Sequence, residues 1–364
     1  MKRRLTIAQR QAIIRWGTLL LSIALLAGVF YVIPYVVRAI PKMSTATSRA
    51  MLSGSAAMGI GTPDYALGGG AFETSQPNTD DVGQDGEYEP EDPIPIPESG
   101  EGDLTVTASN LAWYEINEPS ALNLINRTDF NVDLQSFLGK PFPVVGALQA
   151  DAPLVLIVHT HGSESYLENG YSFYSPEETF RSLEEEKTVV HIGEVLCEKL
   201  NSLGISTVHD KTMYDQTDFN KSYNYAREGI KKVLAEYPTI RFVIDLHRDS
   251  VFDSKGNNIK PLTTLNGKDC AQLMLVVGTN QGGSDHPNWR DNLTFATHLQ
   301  QKMNDLYPTL ARPINLRSAA FNQALTKGSV ILEVGSCGNT IEEAENAVLL
   351  FAQAYASVIK ENLK

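Results

Sequence analysis

Cysteine is scarce in this 364-residue chain: Cys197, Cys270 and Cys337 are the only three. An odd, widely spaced set forms neither a disulfide framework nor a CxxC zinc knuckle, so buried free thiols are the expectation. Basic stripes are absent after the first fifteen residues, and the formal net charge is −13. That balance argues against a nucleic-acid partner. No internal repeat is present. Charge itself is missing from Trp16 to Val37, about the length a membrane-spanning helix needs.

The residues around that uncharged run give it an orientation. Lys2, Arg3, Arg4, Arg10 and Arg15 precede it with no acidic residue among them. A basic flank of this kind keeps the amino terminus in the cytoplasm and sends the remainder outside. A cleaved signal peptide has a shorter apolar region and an A-x-A-like end, so a retained anchor is expected over residues 16–38, after a cytoplasmic segment at 1–15. Residues 39–103 read as a tether. They are rich in Gly, Ser, Thr and Ala, then turn acidic with Pro90, Pro93, Pro95 and Pro97. Such a stretch buries too little apolar surface to fold and stays extended.

From Leu104 to Lys364 the pattern becomes ordered α/β. Strands are expected at Leu154–Val158, Gly204–Val208, Phe242–Leu246, Cys270–Val277 and Val330–Val334. Helices are expected at Thr188–Leu203, Ser222–Tyr237, Asn292–Leu306 and Thr340–Asn362. Residues 105–149 give mixed signals and read as an irregular lead-in with one short helix. Alternating strands and helices imply a mostly parallel twisted sheet with helices on both faces.

Open α/β sheets bind ligands beyond the carboxyl ends of their strands, and chemistry-bearing residues sit at three such ends. The first strand delivers His159-Thr160-His161, where two-residue spacing on extended backbone puts both histidines on one face. Glu164 follows, able to ligate, to orient a histidine or to be solvated. The second strand delivers His247, followed by Arg248 and Asp249. A third apolar run, Ser329 to Leu332, delivers Glu333, which is costly to bury unless paired or working. Glu184, Glu185 and Glu186 precede a helix, where dipole and capping ordinarily explain acids. His191 and His209 read as structural. Histidine ligands with a separate acid are the composition of a zinc hydrolase.

Taken together, these segments resemble the stage II sporulation protein P family, within the zinc-dependent N-acetylmuramoyl-L-alanine amidases of the amidase-3 group. The resemblance runs from about Leu104 to the carboxyl terminus. It rests on HTHxxExY at His159–Tyr166, HD with following aromatics at His209–Tyr225, and VVGTN at Val276–Asn280. HPNW at His286–Trp289 and FNQ with GSVILEVGSCGNTIEEA at Phe321–Ala344 complete the set. It implies zinc ligands at His161, Glu186 and His247, with Glu164, Glu184 or Glu185 as alternatives to Glu186, and a catalytic Glu333. His159, Glu164, Arg248 and Asp249 are then left to support the ligands or to contact substrate. The resemblance also implies cleavage of the bond between N-acetylmuramic acid and L-alanine in peptidoglycan, and links to cross-link endopeptidase cleavage. It places that work in engulfment by an endospore-forming bacterium, in the space at the sporulation septum, with a lytic transglycosylase and a membrane scaffold protein as partners. A metal-free peptidoglycan-binding or scaffold module and a zinc peptidase acting on the stem peptide are the competing classes.

Overall fold

The computed structural model describes residues 98–112, 122–148 and 152–363. The anchor read at residues 16–38 and the tether up to residue 97 lie outside the described residues. Among the described residues, no helix is long and apolar enough to cross a membrane.

Twelve strands and five α-helices make up this part of the chain. Three short strands come first: β1 (Leu104–Thr105), β2 (Thr107–Ser109) and β3 (Leu124–Asn126). Helix α1 (Leu134–Leu138) is the short helix expected in the lead-in. Next come β4 (Val155–Val158), β5 (Phe173–Tyr174), α2 (Val189–Ser202), β6 (Thr207–His209) and α3 (Ser222–Glu236). They are followed by β7 (Phe242–Asp249), β8 (Ile259–Leu265), β9 (Lys268–Ala271), β10 (Leu273–Gly278) and α4 (Trp289–Leu306). The chain closes with β11 (Ile314–Arg317), β12 (Gly328–Ser336) and α5 (Ile341–Asn362).

Seven strands form the main sheet, in the order β3-β11-β10-β12-β7-β4-β6. The pairings of β4 with β6 and β7, β7 with β12, and β11 with β3 and β10 are parallel, while β10 with β12 is antiparallel. The sheet is therefore two parallel halves of opposite direction joined at one seam. All four residues of β4 are fully buried, which is why this strand reads as an unbroken apolar run. The expected strand at Cys270–Val277 is really two elements. Gln272 lies between β9 and β10, its side chain held by Asn110, the Leu111 amide and the Thr309 carbonyl.

Side-chain alternation assigns each face. Val155, Ile157, Phe242, Ile244, Leu246, Val330 and Leu332 point into one large core with α2, α4 and α5. Phe242, Phe295 and Tyr355 meet in that core at ring-centroid distances of 5.0, 5.8 and 6.2 Å. On the opposite face, Leu156, Val158 and Val243 pack with Ile230 and Val233 of α3. Helices do cover both faces, but unevenly. Helix α3 reaches only the β7–β4–β6 half, and Met274, Val276 and Ile331 on the other half make a separate small cluster with Phe321. A groove of about 500 Å³ opens over those residues.

The helix ends follow the sequence. Thr188 Oγ1 accepts the Val190 N–H at the start of α2. Thr340 and Glu343 form a reciprocal capping box at α5, a device that satisfies two otherwise unpaired donors.

Candidate functional site

Because β7 and β12 are parallel neighbours in register, Glu333 lies directly beside His247. Both side chains project to the face that carries the groove. Two residues earlier on β7, Asp245 shares that face and binds the end of β4, accepting from Thr160 N at 2.8 Å and from Thr160 Oγ1 at 2.7 Å. This clamp makes the chain turn at once after β4, since Glu164 N already donates to the His161 carbonyl.

The turn separates the two histidines that a continuing strand would have kept together. His161 swings to the groove face, stacked on Phe219 at 4.5 Å and edge-on to Tyr223 at 5.5 Å. Its ring centroid is 5.4 Å from that of His247. His159 stays behind the sheet, fully buried. There its Nδ1 donates to the Leu246 carbonyl at 2.9 Å and its Nε2 meets His209 Nε2 at 2.8 Å. Glu194 accepts from His209 Nδ1 at 2.8 Å. A substrate contact by His159 is therefore excluded. It buttresses the backbone beside His247, and burial, with His209 second, lowers its pKa to about 3.

Glu164 reaches His247, while the acid facing His161 Nδ1 is Asp215, at 3.9 Å. Glu164 Oε2 lies 3.4 Å from His247 Nδ1 and accepts the Arg248 amide at 3.2 Å, while Oε1 faces Arg181 at 3.7 Å. Burial opposes the Glu164 charge, but His247, Arg248 and His161 outweigh that and hold its pKa at about 2. Glu186, expected as a ligand, is exposed on the 3₁₀ turn Glu185–Lys187 and bonds none of these groups. Glu184 is occupied by Lys187 at 3.0 Å.

Arg248 is a brace. Its Nε donates to the Ser165 carbonyl at 3.0 Å and its Nη2 to the Phe180 carbonyl at 2.7 Å, tying the loop that carries Glu164 to β7. A role in contacting substrate does not fit that orientation. Asp215, which no sequence pattern singled out, plays a similar part: Ser163 Oγ donates to it at 2.6 Å and Arg181 at 2.7 Å. Asp249 does line the groove, paired with Arg312 at 2.9 Å.

Charge differs sharply from residue to residue here. Burial disfavours the His247 cation, yet Asp245 and Glu164 raise its pKa well above the ordinary imidazole value. His161 is lowered by burial and by His247. Glu333 is pushed up to about 8, first by burial and then by Asp249, with His247 opposing. A carboxyl so placed can hold or release a proton near neutral pH.

Whether a metal suits these residues is a question of donors. Two imidazoles and a carboxylate match zinc chemistry. His161 Nδ1, His247 Nε2 and Glu333 Oε2 are buried without hydrogen-bond partners. Asp245 Oδ1 comes within 2.9 Å of His247 Nε2, but off the line a hydrogen bond needs. Among the described residues no three acids, histidines or cysteines stand in a finished cage; His161, Glu164 and His247 come together without closing one.

The family model for Stage II sporulation protein P matches residues 77–356. The chain belongs to that family. A curated relative, Stage II sporulation protein P of Bacillus subtilis strain 168, is 30% identical over 223 residues. That alignment takes in 58% of this chain and 51% of the relative, so the chain spans about half the length of the relative it matches. Two solved structures are also similar. The CwlD amidase of Clostridioides difficile, in complex with the GerS lipoprotein, is 11% identical with a TM-score of 0.35, over 57% of this chain and 98% of that one. The apo N-acetylmuramyl-L-alanine amidase of Mycobacterium abscessus is 14% identical with a TM-score of 0.34, over 59% and 100%.

Proposed function

We propose that this sporulation-family protein is a peptidoglycan hydrolase that cuts the amide between N-acetylmuramic acid and L-alanine. The observation that carries the reading is the pairing of Glu333, its pKa pushed up to about 8, with His247 directly across the β7–β12 ladder. His161, Glu164 and His247 would hold a zinc ion, with Glu164 taking the place that the family resemblance gives Glu186. Zinc so held supplies Lewis-acid polarisation of a carbonyl and makes water a stronger acid.

The protein groups do the proton work. Glu333 takes a proton from the attacking water as its oxygen bonds to the lactyl carbonyl carbon. The same carboxyl returns the proton to the alanine nitrogen as the carbon–nitrogen bond breaks. Asp245 holds the end of β4 against β7, and Arg248 and Arg181 hold the Glu164 loop. Those braces keep the acting side chains in fixed relation, which amide cleavage requires.

The same proposal extends to place and company. A basic start, an uncharged run at 16–37 and a proline-rich tether support a membrane-attached enzyme whose catalytic part faces out of the cytoplasm. A lytic transglycosylase and a membrane scaffold of sporulation are the partners this assigns. Mass spectrometry of digested muropeptides tests the bond. New N-terminal L-alanine with intact sugars supports the amidase reading. Cleavage only within the peptide replaces it with a stem-peptide or cross-link peptidase, and binding without cleavage makes the protein a scaffold.

A further inference from the structure

The groove does not stop at Glu333. It continues over β12, β10, β11 and β3, floored by Ile331, Met274 and Val276, and three arginines line it: Arg127, Arg312 and Arg317. Arg127 and Arg317 meet because Asn126 and Leu316 are register partners at the ends of β3 and β11. The Arg127 amide then donates to the Leu316 carbonyl at 2.9 Å. Both side chains are exposed, and no acid among the described residues is paired with either. Arg312 is only 9% exposed. One edge of its guanidinium holds Asp249, but Nη1 is buried without a partner. Asn315 Oδ1, on the same lining, is also unpartnered. Buried guanidinium groups are costly to leave unpaired, and this concentration of cations occurs in a chain of net charge −13.

We propose that this limb of the groove is a subsite for a carboxylate-bearing peptide, the arm of the substrate beyond the bond that is cut. The proposal rests on the amidase reading for the position of that bond. A guanidinium fork binds a carboxylate through two parallel hydrogen bonds, and Arg317 and Arg127 present two such forks at the groove's outer end. The free edge of Arg312 and the Asn315 carbonyl oxygen offer a donor and an acceptor for peptide amides nearer Glu333. The apolar floor suits alanine methyl groups. Peptidoglycan peptides carry free carboxylates on this side of the scissile amide, so the arginines fix the direction in which substrate lies. Glycan is left to the His161 end.

Calorimetry on the full-length, zinc-loaded protein tests this. The probes are L-alanyl-γ-D-glutamyl-meso-diaminopimelate and the same peptide with every carboxylate amidated. The native protein is expected to prefer the acidic peptide by about tenfold or more. In the Arg127→Gln/Arg317→Gln variant that preference falls to about twofold, and with a cleavable muropeptide the loss appears in KM rather than kcat. An unchanged preference in the variant, or no preference in the native protein, overturns the subsite. Arginine-dependent peptide binding with the sugar–alanine bond left intact keeps the subsite and removes the amidase reading. Amide cleavage indifferent to amidation does the reverse.

Discussion

Glu333 and His247 are register partners on adjacent parallel strands, so a carboxyl and an imidazole stand side by side on backbone rather than on loops. Strand neighbours lie roughly 4.8 Å apart, and sites on such elements are held more firmly than sites on loops. Glu333→Gln keeps the shape and removes the proton acceptor. Zinc content is expected to stay at the native level while kcat falls by about two to four orders of magnitude. Metal loss in this variant would make Glu333 a ligand and end its assignment as the base.

The choice between the two glutamates is settled by metal stoichiometry on the purified full-length protein. Glu164→Ala, His161→Ala and His247→Ala are expected to lose zinc, since these three side chains gather on the groove face. Glu186→Ala is expected to keep it, because Glu186 faces solvent. His159→Ala is expected to keep zinc with partial loss of activity, since it removes only a prop behind Leu246. Zinc lost from Glu186→Ala but kept in Glu164→Ala would restore the ligand set implied by the family resemblance.

His286 makes the fold acid-sensitive. It is fully buried, neither ring nitrogen has a partner, and burial lowers its pKa to about 4 from 6.5, with Asp285 opposing. Below pH 6.5 the unfolded chain takes up a proton that the folded chain refuses. The contribution of His286 therefore drops as pH falls from about 6.5 to about 4 and levels off below that. The group's share of the drop is roughly 3 kcal/mol. Chemical denaturation at several pH values is expected to show a shallower slope across this window in His286→Leu. An identical slope would refute the assignment.

Gly328 tests the packing at the start of β12. A Cβ there would come within 2.3 Å of the Phe242 ring and 3.1 Å of the Arg241 carbonyl, and Phe242 is itself wedged against Phe295 and Tyr355. Gly328→Ala is expected to cost about 1–3 kcal/mol, read as a lower denaturation midpoint. No change would mean that the aromatic cluster yields easily.

Much of this arrangement is visible in the amino-acid sequence, for stated physical reasons. Val155–Val158, Phe242–Ile244 and Val330–Leu332 are buried on both sides, so these apolar runs are unbroken and the polar residues that follow them stand out. β11 is short and alternates Ile314 and Leu316 with Asn315 and Arg317, which gives little local signal. The hairpin of β8 and β9 does have one: Asn266 and Gly267 both take positive φ, at 53° and 76°, as an Asn-Gly turn between strands does. Spacing alone did not part His159 from His161, which only the family resemblance distinguished, because the turn between them depends on Asp245, distant in the chain. The same holds for the groove arginines, which only β3–β11 pairing brings together.

Strand β12 is the last strand among the described residues, yet it sits in the middle of the sheet between β7 and β10. Until it is inserted, the two parallel halves have no common edge, and the pairings it makes, Gly328 with Phe242 and Val334 with Leu273, join residues far apart in sequence. Contacts of such long sequence separation form slowly. Glu333 arrives with that strand. A chain in which β12 is not yet inserted therefore lacks Glu333 at its place beside His247, and on the proposed hydrolase reading the proton acceptor is in position only once the two halves are joined.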